Sequence, residues 1–155
     1  MTESIVDALE QEDALCDAAL RGLSDWLADE SRVPLRHPLT ACCSVILRHL
    51  DIEENIVFPR LLLRTPEHTD LITRLTQEHR TIRDLLVSVE ELVISEKREK
   101  ARAALADLRA LLSKHSLLEQ ELVPAITECM TDPGEVGHLF HSGYFRGKIE
   151  PLKTG

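Results

Sequence analysis

The stretch that decides the fold is His-Leu-Asp-Ile-Glu-Glu-Asn-Ile-Val at residues 49–57, which returns as His-Ser-Leu-Leu-Glu-Gln-Glu-Leu-Val at residues 115–123. A proline follows soon after each copy. In both copies a histidine and a glutamate are four residues apart, the spacing that places two side chains on one face of an α-helix. The same face carries the apolar residues of the segment. The sequence therefore predicts two helices with ionisable groups on their buried sides.

The repetition extends beyond these two motifs. A shift of 66 residues superimposes them, and the same shift places apolar residues of the first half on apolar residues of the second. It also places Asp13 on His79, so the first half has an aspartate where the second has a histidine. The chain is predicted to consist of two helical hairpins of similar design.

Apolar residues recur at helical spacing in four segments, which lie within residues 5–27, 42–56, 72–93 and 101–122. Pro59 is expected to end or kink the second helix. Thr65-Pro66-Glu67 is expected to start the third helix, with the threonine hydroxyl as its cap. The connections are short and the apolar stripes are narrow. An all-α fold follows, an up-down-up-down antiparallel four-helix bundle with a short C-terminal extension.

The domain is predicted to span residues 1–131, because Asp132-Pro133-Gly134 ends the regular part. Residues 132–155 are expected to form a tail or a short helix. His138 and His141 in that tail have a spacing that could bind a metal, but a surface role is the favoured interpretation.

Composition excludes several classes of function. The net charge of −9 argues against non-specific nucleic-acid binding, which needs a basic surface. No apolar run approaches the ~20 residues of a membrane helix, so no membrane association is expected. The N-terminus lacks a signal-peptide layout, and the four cysteines form no Cys-x-x-Cys pair. Cys16 and Cys42 lie on apolar stripes and are expected to be buried thiols in a cytoplasmic protein.

Six ionisable residues fall on the interior stripes: Asp13, His49, Glu53, His79, His115 and Glu119. Each unpaired buried charge would cost several kcal/mol, and together they would exceed the ~5–15 kcal/mol stability of a typical domain. Arg48, Arg80 and Arg83 fall off the stripes and offer no counter-charge, while Glu54 and Glu121 are expected to be solvated. Shared metal cations would neutralise the carboxylates and accept the imidazole lone pairs. Mixed carboxylate and imidazole ligands suit iron or manganese, whereas structural zinc more usually recruits thiolates.

These motifs resemble the hemerythrin-like family, the His–His–Glu cation-binding domains. The resemblance rests on the two His-x-x-x-Glu motifs and on Gln-Glu-His-Arg at residues 77–80, and it covers about residues 4–124. It implies an up-down four-helix bundle with a non-haem di-iron centre, in which Glu53 and Glu119 bridge two iron ions, with an oxo or hydroxo bridge as an option. It also implies three terminal ligands: His49, His79 and His115. Manganese or a single metal ion is the alternative.

The chain departs from the family pattern in two places. The family usually has a histidine on the first helix, where this chain offers Asp13, with Glu12 as a rival one residue away. The oxygen-carrying branch also has a second histidine on the third helix, where Leu75 and Arg83 stand here. Fewer imidazoles and more carboxylates stabilise the oxidised, harder metal ion. The expected ligand is therefore O2, NO or peroxide, in sensing or detoxification rather than in reversible oxygen transport.

Two other functions stay open from the sequence. One is a metal-responsive or redox-responsive interaction module, which would act through a protein partner or a homodimer. The other is a degenerate, metal-free helical scaffold. No hydrolase or transferase motif is present in the sequence, and whether the protein turns over a substrate is left open.

Overall fold

Helical periodicity in the sequence is realised in six α-helices of the computed structural model, which describes residues 5–29 and 36–130. All regular secondary structure in those two ranges is helical. The helices are α1 (Ile5–Ala28), α2 (Arg36–Ile52), α3 (Phe58–Arg64), α4 (Thr69–Ile94), α5 (Arg98–Glu119) and α6 (Val123–Cys129). The predicted tail, with its two histidines, lies outside the described residues, and the domain boundary stays a prediction.

Four helical runs pack around one core, with α3 continuing α2 and α6 continuing α5. Helix α1 packs against α2 and α5, while α4 packs against α5 and α2. The predicted four-helix bundle is therefore confirmed. Among the described residues, no helix has an apolar stretch long enough to cross a membrane.

The second run passes Pro59 without ending. A π-helical turn, Glu53–Val57, joins α2 to α3, and the Phe58 amide donates to the Glu53 carbonyl five residues back. Pro59 then falls in the first turn of α3, where its missing N–H is tolerated. The interruption predicted at the proline thus lies just upstream of it, in a wide turn that begins at a motif glutamate.

The same place in the second half is built differently. Residues Gln120–Leu122 form a 3₁₀ turn between α5 and α6, and Pro124 lies in the first turn of α6. Four residues separate Glu119 from its proline, whereas five separate Glu53 from Pro59. The first copy accommodates the additional residue in its wider turn.

The predicted start of the third helix is correct in place and wrong in mechanism. A 3₁₀ turn, Pro66–His68, precedes α4, which begins at Thr69. The Thr65 hydroxyl donates to the Leu61 carbonyl at 2.8 Å, so it closes the end of α3 and does not cap α4.

The apolar core is divided into two clusters. One contains Leu20, Leu23 and Trp26 of α1 together with Ile46, Ile82 and Leu108. The other contains side chains of the π-helical turn, α3, the 3₁₀ turn Gln120–Leu122, α6 and the first half of α4, among them Ile56, Leu61, Leu75, Leu122 and Ile126. All four cysteines lie within the described residues, are free of disulfides and are buried, as predicted for Cys16 and Cys42.

Candidate metal centre

Ionisable side chains occupy the layer between the two apolar clusters. Along α4, His79 stands between Leu75 of one cluster and Ile82 of the other, and it is fully buried. His49, Glu53 and His115 are each no more than 3% exposed. The helical spacing of the sequence motifs therefore brings charged groups from different helices to one depth of the bundle.

The first group of donors, here called position A, consists of Glu53, His79, His115 and Glu119. One donor atom from each of these residues lies within 4.8 Å of the others. The Nε2 atom of His79 lies 2.8 Å from Glu53 Oε2, and that of His115 lies 2.5 Å from Glu119 Oε1. The two Nε2 atoms are 3.0 Å apart. Two carboxylates and two imidazoles thus converge on one small volume.

The second group, here called position B, consists of Asp13, His49 and Glu119, whose donor atoms also lie within 4.8 Å of one another. The Nε2 atom of His49 is 3.3 Å from Asp13 Oδ1 and 4.0 Å from Glu119 Oε2. It is also 2.8 Å from Glu53 Oε1. Glu53 and Glu119 therefore face donors of both positions, which is the arrangement that two adjacent cations with shared carboxylates require.

Hydrogen bonds from outside the cluster fix two of the imidazoles. The Nδ1 atom of His79 is 2.8 Å from Glu54 Oε1, and the Nδ1 atom of His115 is 2.9 Å from Glu78 Oε2. An ionised carboxylate only accepts, so each Nδ1 carries the proton. In the neutral imidazole the Nε2 lone pair then points into the cluster, as in metal-ligating histidines.

This arrangement fits a cation. Two inward lone pairs with nitrogen atoms 3.0 Å apart repel each other unless a proton or a metal ion lies between them. Two buried carboxylate atoms, Glu53 Oε2 and Glu119 Oε1, also lack a partner with hydrogen-bond geometry among the described residues, although imidazole nitrogens lie close. Buried acceptors of this kind are costly when left unmet, and a metal would satisfy them.

Two carboxylates outside the cluster accept hydrogen bonds from its histidines and were not recognised from the sequence. They are here called second-ring carboxylates. Glu54, expected to be solvated, accepts from His79 and from both terminal nitrogens of Arg83, at 2.8 and 3.1 Å. Glu78 accepts from His115. Both directly precede or follow a residue of position A in the chain, and that adjacency was the available signal. Glu121 is exposed, as predicted.

The two candidate acids of the first helix have different surroundings. Asp13 faces the cluster, whereas Glu12 accepts from Arg48 at 2.8 Å. Arg48 and Arg83 lie off the cluster, as expected, and pair with Glu12 and Glu54, two acids just outside it. Leu75 is buried in the core, so it and Arg83 supply no ligand, as expected.

Without a metal, protons hold the cluster together. Burial would lower the pKa of His49, but the carboxylates of Glu53, Glu119 and Asp13 together outweigh it and raise that pKa to about 9. For His115 the contacts with Glu119 and Glu53 likewise outweigh burial and raise the pKa to about 11. Burial and repulsion from Glu53 raise the pKa of Glu119 to about 8.

Glu53 and Asp13 shift in opposite directions. Burial opposes ionisation of Glu53, yet His49, together with the close imidazoles of His115 and His79, holds its pKa well below the usual range. Burial raises the pKa of Asp13 despite the nearby His49. A metal that bound such a cluster would release these protons.

Two small cavities reach the cluster between α1 and α5. One, of about 80 Å³, is lined mostly by apolar side chains, including Leu9, Phe58 and Val123, and it touches both Glu53 and Glu119. The other, of about 70 Å³, has a larger share of charged and polar residues in its lining, is here called the polar cavity, and touches His49 and His115. The Asp13 side chain borders both.

Together the bundle and its buried layer define a helical cation-binding protein whose donors are carboxylates and imidazoles. The hemerythrin HHE cation-binding domain matches residues 4–126. The chain belongs to this family, which confirms the resemblance seen in its motifs. No curated protein and no solved structure matched the chain. The metal-ligand roles of Asp13 and of the five motif residues stay a prediction.

Proposed function

We propose that this protein is a non-haem di-iron protein that binds or reacts with O2, NO or peroxide, in sensing or detoxification. The observation that carries the proposal is the pair of adjacent donor groups, positions A and B, which have Glu119 in common and Glu53 between them. Family membership supports a cation at this place.

Iron is favoured over zinc by the chemistry of the donors. Positions A and B contain carboxylates and imidazoles, and Cys16, which lines the polar cavity together with His49, has a buried thiol whose pKa is raised by burial. Such a thiol does not supply the thiolate that structural zinc prefers. Manganese and a single-iron site are the alternatives that metal analysis distinguishes.

When bound, iron supplies the redox chemistry and the coordination site for a small ligand. The protein residues have three tasks. Glu54 and Glu78 orient the imidazoles of position A, the apolar clusters above and below exclude water, and Glu53 and Glu119 neutralise the cations. Because carboxylates are numerous, the oxidised ion is stabilised, which favours reaction with the ligand over reversible oxygen transport.

The size of the apolar cavity supports a small ligand. Its volume of about 80 Å³ is far below the ~300–1,000 Å³ of pockets that hold drug-sized molecules. Its apolar walls suit O2 and NO, which dissolve readily in such surroundings. The cavity on the polar side, near Arg109 and Ser113, suits peroxide or water.

The proposal is tested by metal analysis of protein produced with iron supplied, followed by absorption spectra with and without O2, NO and peroxide. We expect two irons per chain and a charge-transfer band that changes with at least one ligand. Glu53→Ala and Glu119→Ala should lose most of the iron. Glu121 is an exposed glutamate in the 3₁₀ turn that follows Glu119. Glu121→Ala is therefore the matched control and should keep the iron. Equal iron in all three variants would refute the ligand assignment.

A second function, a metal-responsive interaction module, is favoured by one observation. The donors come from α1, α2, α4 and α5 and from the π-helical turn, so metal occupancy is coupled to the packing of the whole bundle. A protein partner or a second copy would read that change. Iron that raises the unfolding temperature while the spectrum ignores O2, NO and peroxide would select this function. The cytoplasm is the proposed compartment, consistent with four unpaired cysteines.

A further inference from the structure

Two buried polar atoms next to position B lack the partners that their counterparts near position A possess. Glu12 is 5% exposed, and its Oε2 atom accepts no hydrogen bond among the described residues. The Nδ1 atom of His49, which is 2% exposed, is likewise unpartnered there. Buried polar atoms are rarely left unpaired, so this carboxylate oxygen and this imidazole nitrogen require an explanation.

The internal repeat supplies the explanation. The 66-residue shift that places His49 on His115 also places Glu12 on Glu78. In the second half, Glu78 accepts from His115 Nδ1 at 2.9 Å. The first half therefore contains the same two side chains on equivalent helices, but the hydrogen bond between them is not formed in this structure.

Glu12 instead forms an ion pair with Arg48, through a single hydrogen bond. One terminal nitrogen of Arg48 donates to Glu12 Oε1 at 2.8 Å, while Arg48 Nε is buried without a partner among the residues described. Arginine and carboxylate commonly pair through two parallel hydrogen bonds, and this pair uses one. Glu12 thus keeps one oxygen free for a second donor.

We infer that Glu12 is the positioning residue of His49: it accepts from His49 Nδ1 when a metal occupies position B, and Arg48 competes for it. The inference rests on the proposed function, because a metal on His49 Nε2 requires the proton to be on Nδ1. A carboxylate acceptor then orients the ring and strengthens it as a ligand. Glu12 acts through His49 and does not contact the metal.

The inference is tested by anaerobic titration of the full chain with Fe(II), following the two binding steps by calorimetry. Glu12→Ala and Glu12→Gln should weaken the step at position B by about 10- to 100-fold, the usual effect of losing such an acceptor, and leave position A unchanged. Arg48→Met should strengthen position B by about twofold to fivefold, because it removes a competing, partly exposed ion pair. Arg21→Met, which removes an exposed partner of Asp17 on α1, is the matched control and should change neither step.

A spectroscopic measurement separates positioning from mere support of the fold. In the Fe(II)-loaded protein, each histidine bound through Nε2 gives one exchangeable Nδ1–H proton resonance shifted by the metal. We expect three resonances in the unaltered chain, and in Glu12→Ala we expect the His49 resonance to be lost or to exchange faster while the other two remain.

Three results would overturn the inference. The first is a position B that binds equally well in Glu12→Ala. The second is an Arg48→Met variant that weakens position B as the Glu12 variants do. The ion pair between Arg48 and Glu12 would then act only by holding α1 against α2, and Glu12 would not act on His49. The third is a His49 resonance unaffected in Glu12→Ala. Complete absence of Fe(II) binding by the unaltered chain would instead refute the proposed function on which the inference depends.

Discussion

In the second half of the bundle, both histidines of position A have a carboxylate on Nδ1; in the first half, Asp13 replaces one histidine and His49 has an unpartnered Nδ1. The repeat also pairs Glu54 with Gln120, which is exposed. Asp13 has no ring N–H to donate, so a glutamate at position 120, the counterpart of Glu54, would have no imidazole to orient. The absence of a histidine at position 13 thus accounts for the absence of a carboxylate at position 120. Position A, whose histidines are both oriented by carboxylates, is expected to bind its metal more tightly than position B.

The turns that follow the two motifs differ in the same way. Glu53 begins a π-helical turn, whereas Glu119 precedes a 3₁₀ turn. The wider turn follows from one additional residue before the proline. It places Glu54 where it reaches His79 and Arg83, a role that its counterpart Gln120 does not have. The π-helical turn and the hydrogen bond between His79 and Glu54 therefore occur together in the first copy of the motif.

The largest expected effect compares one histidine from each half. His115→Ala should weaken iron binding at position A by more than the roughly 10- to 100-fold typical of second-ring changes, because it removes a donor itself. His49→Ala should weaken position B alone and leave one iron bound. Iron content and Fe(II) affinity measure both. If His49→Ala lost both irons and His115→Ala lost only one, position B and not position A would be the tighter metal site.

A second test uses the pair that the repeat provides. Glu54→Gln should weaken iron at position A by about 10-fold or more, because the neutral amide accepts less strongly from His79 Nδ1. Gln120→Ala, at the equivalent place in the second half, should leave both affinities unchanged. Fe(II) titration is the measurement, with the metal-free unfolding temperature as the check on folding. Similar effects of both substitutions would show that the halves are equivalent in their second ring.

Ligand entry provides the third test, since the apolar cavity and the polar cavity differ in the share of charged and polar residues that line them. Val123→Phe fills the apolar cavity and should slow NO association about tenfold, a barrier increase of ~1.4 kcal/mol, without changing iron content. Leu117→Phe is the control, because Leu117 is 65% exposed. Stopped-flow mixing of NO with the Fe(II) protein measures the rate. An unchanged rate would assign NO entry to the polar cavity.

The smallest expected effect is the pH dependence of stability in metal-free protein. The folded-state pKa of His49, about 9, exceeds its ordinary value of 6.5, so its contribution is present at low pH and is lost as pH rises through 9. Glu119, with its pKa raised from 4.5 to about 8, acts in the same direction. The unfolding temperature of the metal-free protein should therefore fall by a few degrees from about pH 6 to about pH 9.

Iron should oppose this trend, because metal binding releases the same protons and strengthens as pH rises. Thermal unfolding followed by circular dichroism, with and without iron, measures both curves. His49→Ala should flatten the metal-free curve. A metal-free protein that becomes more stable between these pH values would contradict the assigned protonation of the cluster.

Periodicity in the sequence was sufficient for the bundle and for the residues at its centre. Helical spacing is a local property, so four apolar stripes predicted four helical runs, and ionisable residues on those stripes, including His79 and both motif pairs, were predicted to lie inside. The sequence also contains an indication of the irregular turn. The first motif has one residue more before its proline than the second, which matches the π-helical turn at Glu53–Val57.

Other features were decided only by how the helices are rotated and paired. Glu12 and Asp13 are neighbours on α1, yet one bonds to Arg48 and the other faces the cluster. Glu54 turns to His79 on another helix instead of to solvent. The sequence by itself determined most of the residues inside the bundle, because burial largely follows the helical repeat, although Glu12 is buried beside the partly exposed Asp13. Tertiary structure decided which atom faces which, because a hydrogen bond forms only within about 3 Å and a small rotation of a helix exchanges one partner for another.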